Sequence, residues 1–262
     1  MSSTISSRAV IALFKTGSWR ALKTHSQETR AENLRHGLTD EARVMVRICS
    51  HPSLVSLSKL HAEARTEHYR LTLPAIDEGW RLLPGARQIE HAANMSALAD
   101  RHAALVTEFL AAYDAERLAA PGRLGALYVP SQWPIPSALA EKFVFATRYL
   151  PLPSLGQWDV WIAESAAEAE ADFKLRLADA VRKLASKLAD PESIFRDTLV
   201  SNLSELCALA GDMNLRDDPA IAAIAAQAAA ITSVPADTLR ANPAARRDAA
   251  GRASALCSMF NL

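Results

Sequence analysis

Thr72-Leu73-Pro74-Ala75-Ile76-Asp77-Glu78-Gly79-Trp80-Arg81-Leu82-Leu83-Pro84-Gly85 separates two long amphipathic stretches, and its reading decides the fold. Upstream, Ser53 suits a helix N-cap, and Leu54, Leu57, His61, Ala64, His68 and Leu71 recur at steps of three and four, the spacing of a helical seam. Pro74 closes this helix because the residue before a proline is pushed out of helical angles. Downstream, Met95, Leu98, His102, Leu105 and Phe109 form a matching seam in a helix predicted from about Ala86 to a stop at Pro121-Gly122. Matched seams on either side of a short joint fold back as an antiparallel hairpin, which sets His68 beside His91 and His61 beside His102. Within the joint, Gly79 to Leu83 is a short extended candidate closed by Pro84-Gly85.

Working outward, Ala9 to Phe14 is rich in strand formers and ends at Lys15-Thr16-Gly17-Ser18-Trp19. Residues 26 to 37 read as a helix with Gly37 at its C-terminus, and Thr39-Asp40-Glu41 as the start of a further short helix carrying Val44, Val46 and Ile48. Lys142 to Leu150 is the strongest strand in the sequence, ended by Pro151 and Pro153, and Trp158 to Ile162 is a further strand candidate. From Ser165 the pattern is helical again, with the stripe Phe173, Leu177, Ala180, Leu184 and Leu188. Asp190-Pro191-Glu192 reads as a helix restart feeding Phe195, Leu199, Leu203 and Leu206. Asp218-Pro219 and Ser233-Val234-Pro235 open two more helices, and Asn242 to Leu262 the last. The expectation is an α+β fold, mainly α: a long antiparallel helical hairpin, a small antiparallel sheet and a C-terminal helical array. Its two parts are residues 1–163, hairpin plus sheet, and residues 164–262, helices that pack on it or serve assembly.

Composition narrows the function classes. The 262 residues are 50% hydrophobic, with 9 glycines, and 29 basic side chains balance 29 acidic ones. That suits packed helices rather than disorder, and zero net charge argues against a dedicated duplex-DNA binder. The three cysteines, Cys49, Cys207 and Cys257, are too far apart for a zinc pattern and read as free thiols in a reducing compartment. The longest apolar tract, Ala220 to Ile231, is too short for a membrane span.

No motif points to a reaction, so the sequence predicts a protein that is not an enzyme. Four seam histidines evoke a metal site in a bundle, but no histidine follows a glutamate at the spacing that di-iron bundles use, and no metal or other cofactor is expected. Glu63 with Glu67 and Asp114 with Glu116 read as solvated helix faces, and Cys49 lacks the context of a nucleophile. The more informative set is Lys15, Trp19, Arg20 and Lys23, with Arg8, Arg30, Arg35, Arg43 and Arg47 nearby in sequence and Arg148 and Tyr149 on the late strand. Basic groups interleaved with an aromatic ring can track a phosphate backbone while a base stacks, so these residues make a candidate single-stranded nucleic-acid surface. The opposing reading buries Trp19 and pairs the arginines with acids. Narrow apolar stripes on charged helices, Phe173 to Leu188 above all, are compatible with a homo-oligomer or with the protein's own core.

At His68-Tyr69-Arg70-Leu71-Thr72-Leu73-Pro74 and Gly79-Trp80-Arg81-Leu82-Leu83-Pro84 the chain resembles a family of uncharacterised tailed-phage proteins. Phe109 to Asp114, Arg123-Leu124-Gly125, Trp133-Pro134, Lys142-Phe143, Pro151-Leu152-Pro153 and Phe195-Arg196-Asp197-Thr198-Leu199 extend the likeness over about Val10 to Asp218. That family is similar to a group of unknown function often encoded beside MoxR-like AAA+ ATPases and von Willebrand factor A proteins. The resemblance implies a phage accessory or DNA-metabolism context in the host cytoplasm, not an activity, and carries no site residues with it; joined to the lack of catalytic motifs, it leads to the expectation of a non-enzymatic accessory protein acting through protein contacts, such as an adaptor for such an ATPase.

Overall fold

The structure is a computed structural model and describes residues 2–75, 79–153 and 158–259. In chain order the elements are α1 (Ser2–Arg8), β1 (Ala9–Gly17), β2 (Leu22–Thr24), α2 (Ser26–Arg35), β3 (Met45–Arg47), α3 (Pro52–Leu71), β4 (Leu73–Pro74), β5 (Arg81–Pro84), α4 (Gln88–Leu124), α5 (Pro136–Ala140) and β6 (Val144–Pro151), followed by α6 (Asp159–Ala189), α7 (Thr198–Met213), α8 (Pro219–Thr232), α9 (Ala236–Ala241) and α10 (Pro243–Met259). The fold is α+β and mainly α, with the long hairpin, the small sheet and the C-terminal helices expected. Ile76, Asp77 and Glu78 of the joint, and Phe260 to Leu262, where the sequence reading extended the last helix, lie outside the described residues.

The chain forms two compact units: a first from Met1–Leu13, Leu71–Ile89 and Tyr149–Leu262, and a second from Phe14–Arg70 and Glu90–Arg148. The main sheet runs in the order β4-β5-β1-β6. In the first unit β5 pairs antiparallel with the start of β1, from Ala9↔Pro84 to Ala12↔Arg81, and β4 pairs with β5 at Leu73↔Leu82. In the second unit the end of β1 runs beside β6 so closely that a Cβ on Gly17 would stand 3.1 Å from the Lys142 carbonyl oxygen.

In the first unit the α6 stripe, from Ile162, Ala166 and Ala169 through Phe173 and Leu177 to Leu188, is buried and packs with α7, α8 and α10. The Phe173 to Leu188 stripe is therefore covered by the protein's own helices. Two expectations fail here. Trp158 to Ile162 is not a strand; α6 starts at Asp159, because Ile162 continues the helical stripe four residues before Ala166. Asp190-Pro191-Glu192 does not restart a helix, and α7 waits until Thr198. The reason is Arg246, whose guanidinium donates to the carbonyls of Leu188 (3.2 Å), Lys187 (2.9 Å), Asp190 and Ser193 (2.8 Å) and lies 5.4 Å from the Phe195 ring, whose other neighbouring cation is Arg240. These tertiary bonds hold the segment open against its local helix signal. Arg246→Ala, which leaves those carbonyls without their donor, is expected to cost about 2–3 kcal/mol, read from the denaturant midpoint, with Lys recovering only part.

In the second unit α3 and α4 form the hairpin. His51 rather than Ser53 caps α3, its Nδ1 accepting the Ser53 N–H at 3.3 Å, with Pro52 as the first helical residue. Pro121 does not stop α4, which runs on to Leu124 although the proline offers no N–H to the carbonyl of residue 117, one turn before it. Residues 39–41 do not open a helix either: Val44, Val46 and Ile48 alternate at period two, and Met45–Arg47 is β3, paired with β2. The hairpin seam holds Leu60, Ala64, Met95 and Leu98, capped by Phe14 and Phe145, whose rings are 5.1 Å apart. The four histidines pair across it. His68 Nδ1 is 3.0 Å from His91 Nε2, and the His61 and His102 rings stack at 5.2 Å.

Burial favours the neutral form of three of these imidazoles. It holds His91 and His102 below their ordinary value, and His61, beside His102 and Arg65, down to about 4 from 6.5. Around His91, Glu67 and Glu90 pull upward and Arg70 downward. A folded pKa below the unfolded one means that the seam contributes full stability above pH 6.5 and loses it as the pH falls toward about 4. The melting temperature should therefore drop by on the order of 5 °C between about pH 7.5 and 5. Replacing His61 and His102 with leucine should flatten that dependence; an unaltered slope in this variant would place its origin elsewhere.

Candidate functional site: an arginine-walled cleft

The second unit carries a cleft of about 750 Å³. One wall is the turn from β1 into β2, with Thr16, Ser18, Arg20 and Leu22; the floor is the end of β3 and the loop after it, with Arg47, Ser50 and His51. The other wall is a stripe on α3. Leu54, Ser58, His61 and Arg65 follow at steps of four, three and four, which puts them on one helix face next to the buried seam.

The turn aims its residues by necessity. Trp19 is 5% exposed and sits among Phe109, Tyr113 and Trp133, with ring centroids 5.8–6.0 Å away. Ala21 takes a left-handed backbone with φ of 51°, which costs a non-glycine residue on the order of 1 kcal/mol. It is held there by burial and by the Ile48 N–H, which donates to its carbonyl at 2.8 Å. With Trp19 and Ala21 locked inward, Arg20 between them faces solvent.

Arg20 and Arg47 are exposed and have no ion-pair partner among the described residues. Arg65 meets the Thr16 hydroxyl at 3.5 Å. Among the described residues, no aspartate or glutamate lines the cleft. Behind the lining, Glu116 accepts from the Cys49 thiol at 3.6 Å; burial first, then this acid, pushes that thiol up. A protonated thiol on a carboxylate is a packing feature, not an activated nucleophile. Three guanidiniums around one hollow repel one another, and none of them has an ion pair among the described residues. Their neighbours Thr16, Ser18, Ser50 and Ser58 supply neutral donors. The arrangement suits an anion with several oxygens, phosphate above all.

The sequence candidates divide. Arg20 joins the cleft, and Trp19 borders it but is buried among other rings, so it has little surface to offer a base. Lys15 and Arg148 are exposed on the strand face opposite Phe14 and Phe145, as alternation requires, and do not line the cleft. Lys23 is half-buried and pairs with Val46 on the inward side of β2. Tyr149 belongs to the first unit, where burial against that core raises its phenol. Of the wider basic set, Arg8 pairs with Asp217 and Arg35 with Glu32, whereas Arg30, Arg43 and Arg47 have no ion pair among the described residues. Arg65 escaped the sequence reading, although its place four residues after His61 on the helix was the signal.

No family model, curated protein or solved structure matches the chain. Among the described residues, no three His, Cys, Asp or Glu side chains are grouped to hold a metal ion, and no helix is long and apolar enough to cross a membrane.

If the cleft is an anion site, phosphate should raise the melting temperature above that in chloride of equal ionic strength, by RT ln(1 + [L]/Kd) converted through the unfolding entropy. A shift of about 2–4 °C is expected at ten times Kd, and it should vanish in Arg20→Ala/Arg47→Ala.

Proposed function

We propose that this protein is a non-enzymatic nucleic-acid-binding accessory protein that holds a single strand by its phosphates. One observation carries the reading: Arg20, Arg47 and Arg65 converge on a cleft with no carboxylate among its described lining residues, in a chain whose charges balance overall. A hollow of about 750 Å³ fits a few nucleotides of one strand. With Trp19 packed away, binding rests on backbone contacts and is indifferent to sequence, unlike a stacking platform. The role of adaptor for an AAA+ ATPase or a von Willebrand factor A protein rests on the family resemblance and draws on no residue of this cleft.

The test is fluorescence anisotropy with a labelled oligonucleotide of about 4 nucleotides, short enough to occupy the cleft alone. Between about 50 and 200 mM salt, log K should fall with log salt at a slope of about −2, three phosphates at about 0.7 each. Arg47→Ala should weaken binding about tenfold, or ~1.4 kcal/mol, and flatten the slope by about 0.7. Trp19→Phe should leave the affinity within about twofold. Absence of binding at low salt would overturn the proposal.

A further inference from the structure

The cleft opens beside a two-stranded ribbon, and the ribbon leads to a second hollow. β2 and β3 pair antiparallel at Leu22↔Arg47, Lys23↔Val46 and Thr24↔Met45. Because side chains alternate across a strand, Leu22, Thr24, Met45 and Arg47 share one face, and all four are exposed. Lys23 and Val46 point the other way, where Val46 packs against the aromatic core around Trp19. The same alternation continues through Val44 to Arg43. Val44 is half-buried and tied down, its N–H donating to Thr29 Oγ1 at 3.0 Å and its carbonyl accepting the His25 N–H at 2.9 Å; Arg43 is exposed. Arg43 and Arg47 thus stand on one outward face, four residues or about 13 Å apart along extended chain.

Arg43 lines the second hollow, about 590 Å³, together with Thr24, Ser26, Thr29 and Arg30. Its one acidic lining residue is Asp40. Two neighbouring acids are engaged elsewhere: Glu32 takes Arg35 and His36, and Glu41 accepts the N–H groups of Thr39 and Asp40 at 2.8 and 2.9 Å, which lower its pKa. Arg30 and Arg43 have no ion pair among the described residues, like Arg20 and Arg47. Thr24 lies on the ribbon face between the two hollows and borders the second, while Leu22 borders the first.

We infer that the two hollows are one track: a single-stranded nucleic acid leaves the cleft, crosses the outer face of the β2–β3 ribbon and places further phosphates on Arg43 and Arg30. This rests on the reading that the cleft takes phosphates. At about 3.4 Å of rise per stacked nucleotide, the 13 Å from Arg47 to Arg43 spans about four nucleotides. The occupant is therefore a polymer longer than the cleft, not a mononucleotide. The ribbon offers it apolar ground at Leu22 and Met45 between the cations.

The experiment is affinity against oligonucleotide length, from about 3 to about 15 nucleotides, for the wild type, Arg20→Ala/Arg47→Ala and Arg30→Ala/Arg43→Ala. The cleft variant should lose affinity at every length. The ribbon variant should bind the shortest oligonucleotide like the wild type and the longest about tenfold more weakly, with its salt slope flattened by about 1.4, two phosphates at about 0.7. An effect of Arg30→Ala/Arg43→Ala at no length would overturn the track and leave the cleft standing. Loss of length dependence in the wild type would do the same. A wild type that binds no oligonucleotide at low salt would overturn the cleft reading itself. Tighter binding to duplex of equal length, or equal competition by polyglutamate, would overturn the assignment to a single nucleic-acid strand.

Discussion

The second unit depends on the buried seam between α3 and α4, where four core positions are histidines rather than aliphatic residues. Burying an imidazole demands that it stay neutral and find partners. His68 and His91 meet this with a hydrogen bond. His61 and His102 stack, and each leaves a buried Nε2 without a partner. Such pairs form in one register of the two helices only, so the seam fixes how α3 is rotated. That rotation decides what α3 shows to its side. The stripe Leu54, Ser58, His61 and Arg65 becomes the wall of the cleft, with His61 shared between seam and hollow.

The opposite wall follows from a second constraint, the aromatic cluster of Trp19, Phe109, Tyr113 and Trp133. Tyr113 completes it by donating its hydroxyl to the Pro134 carbonyl at 2.6 Å. Anchoring Trp19 there forces Arg20 outward through the left-handed Ala21. The arginines of the two units are used differently. In the first unit Arg8, Arg87, Arg176 and Arg246 are tied to carboxylates or backbone carbonyls and hold loops in place. In the second, Arg70 and Arg101 bind glutamates on the hairpin, while Arg20, Arg30, Arg43 and Arg47 are left to solvent along one track. An arginine kept exposed beside other arginines raises the energy of the free protein, and an anionic ligand relieves it.

Much of this architecture was legible because hydrophobic spacing is a local record of burial. The seam residues gave the hairpin and even the histidine pairs, since facing helices of matched spacing leave little choice of register. Gly37, with φ of 65°, and Asp218, whose carboxylate caps α8 at the Ala220 N–H, behave as their residue types predict. What failed was set by distant partners. Nothing near Asp190 announces that Arg246 will take its carbonyl, and a short apolar run such as Trp158 to Ile162 serves strand or helix until its neighbours are known. The basic patch was legible as composition but not as geometry. Trp19 and Arg20 are adjacent in sequence, and only the packing of one determines where the other points. Arg65 lay hidden because a charge on a helix reads as a solvated face until the rotation of that helix is fixed.

The most direct test of the account is the response of individual guanidinium groups to a ligand. In nitrogen-15 spectra of the arginine Nε–H groups, titration with a single-stranded oligonucleotide should shift Arg20, Arg47 and Arg65, and leave Arg101, bound to Glu63, and Arg246, bound to backbone carbonyls, in place. Shifts confined to other arginines, or equal small shifts of all of them, would contradict the cleft as the site where this protein meets its partner.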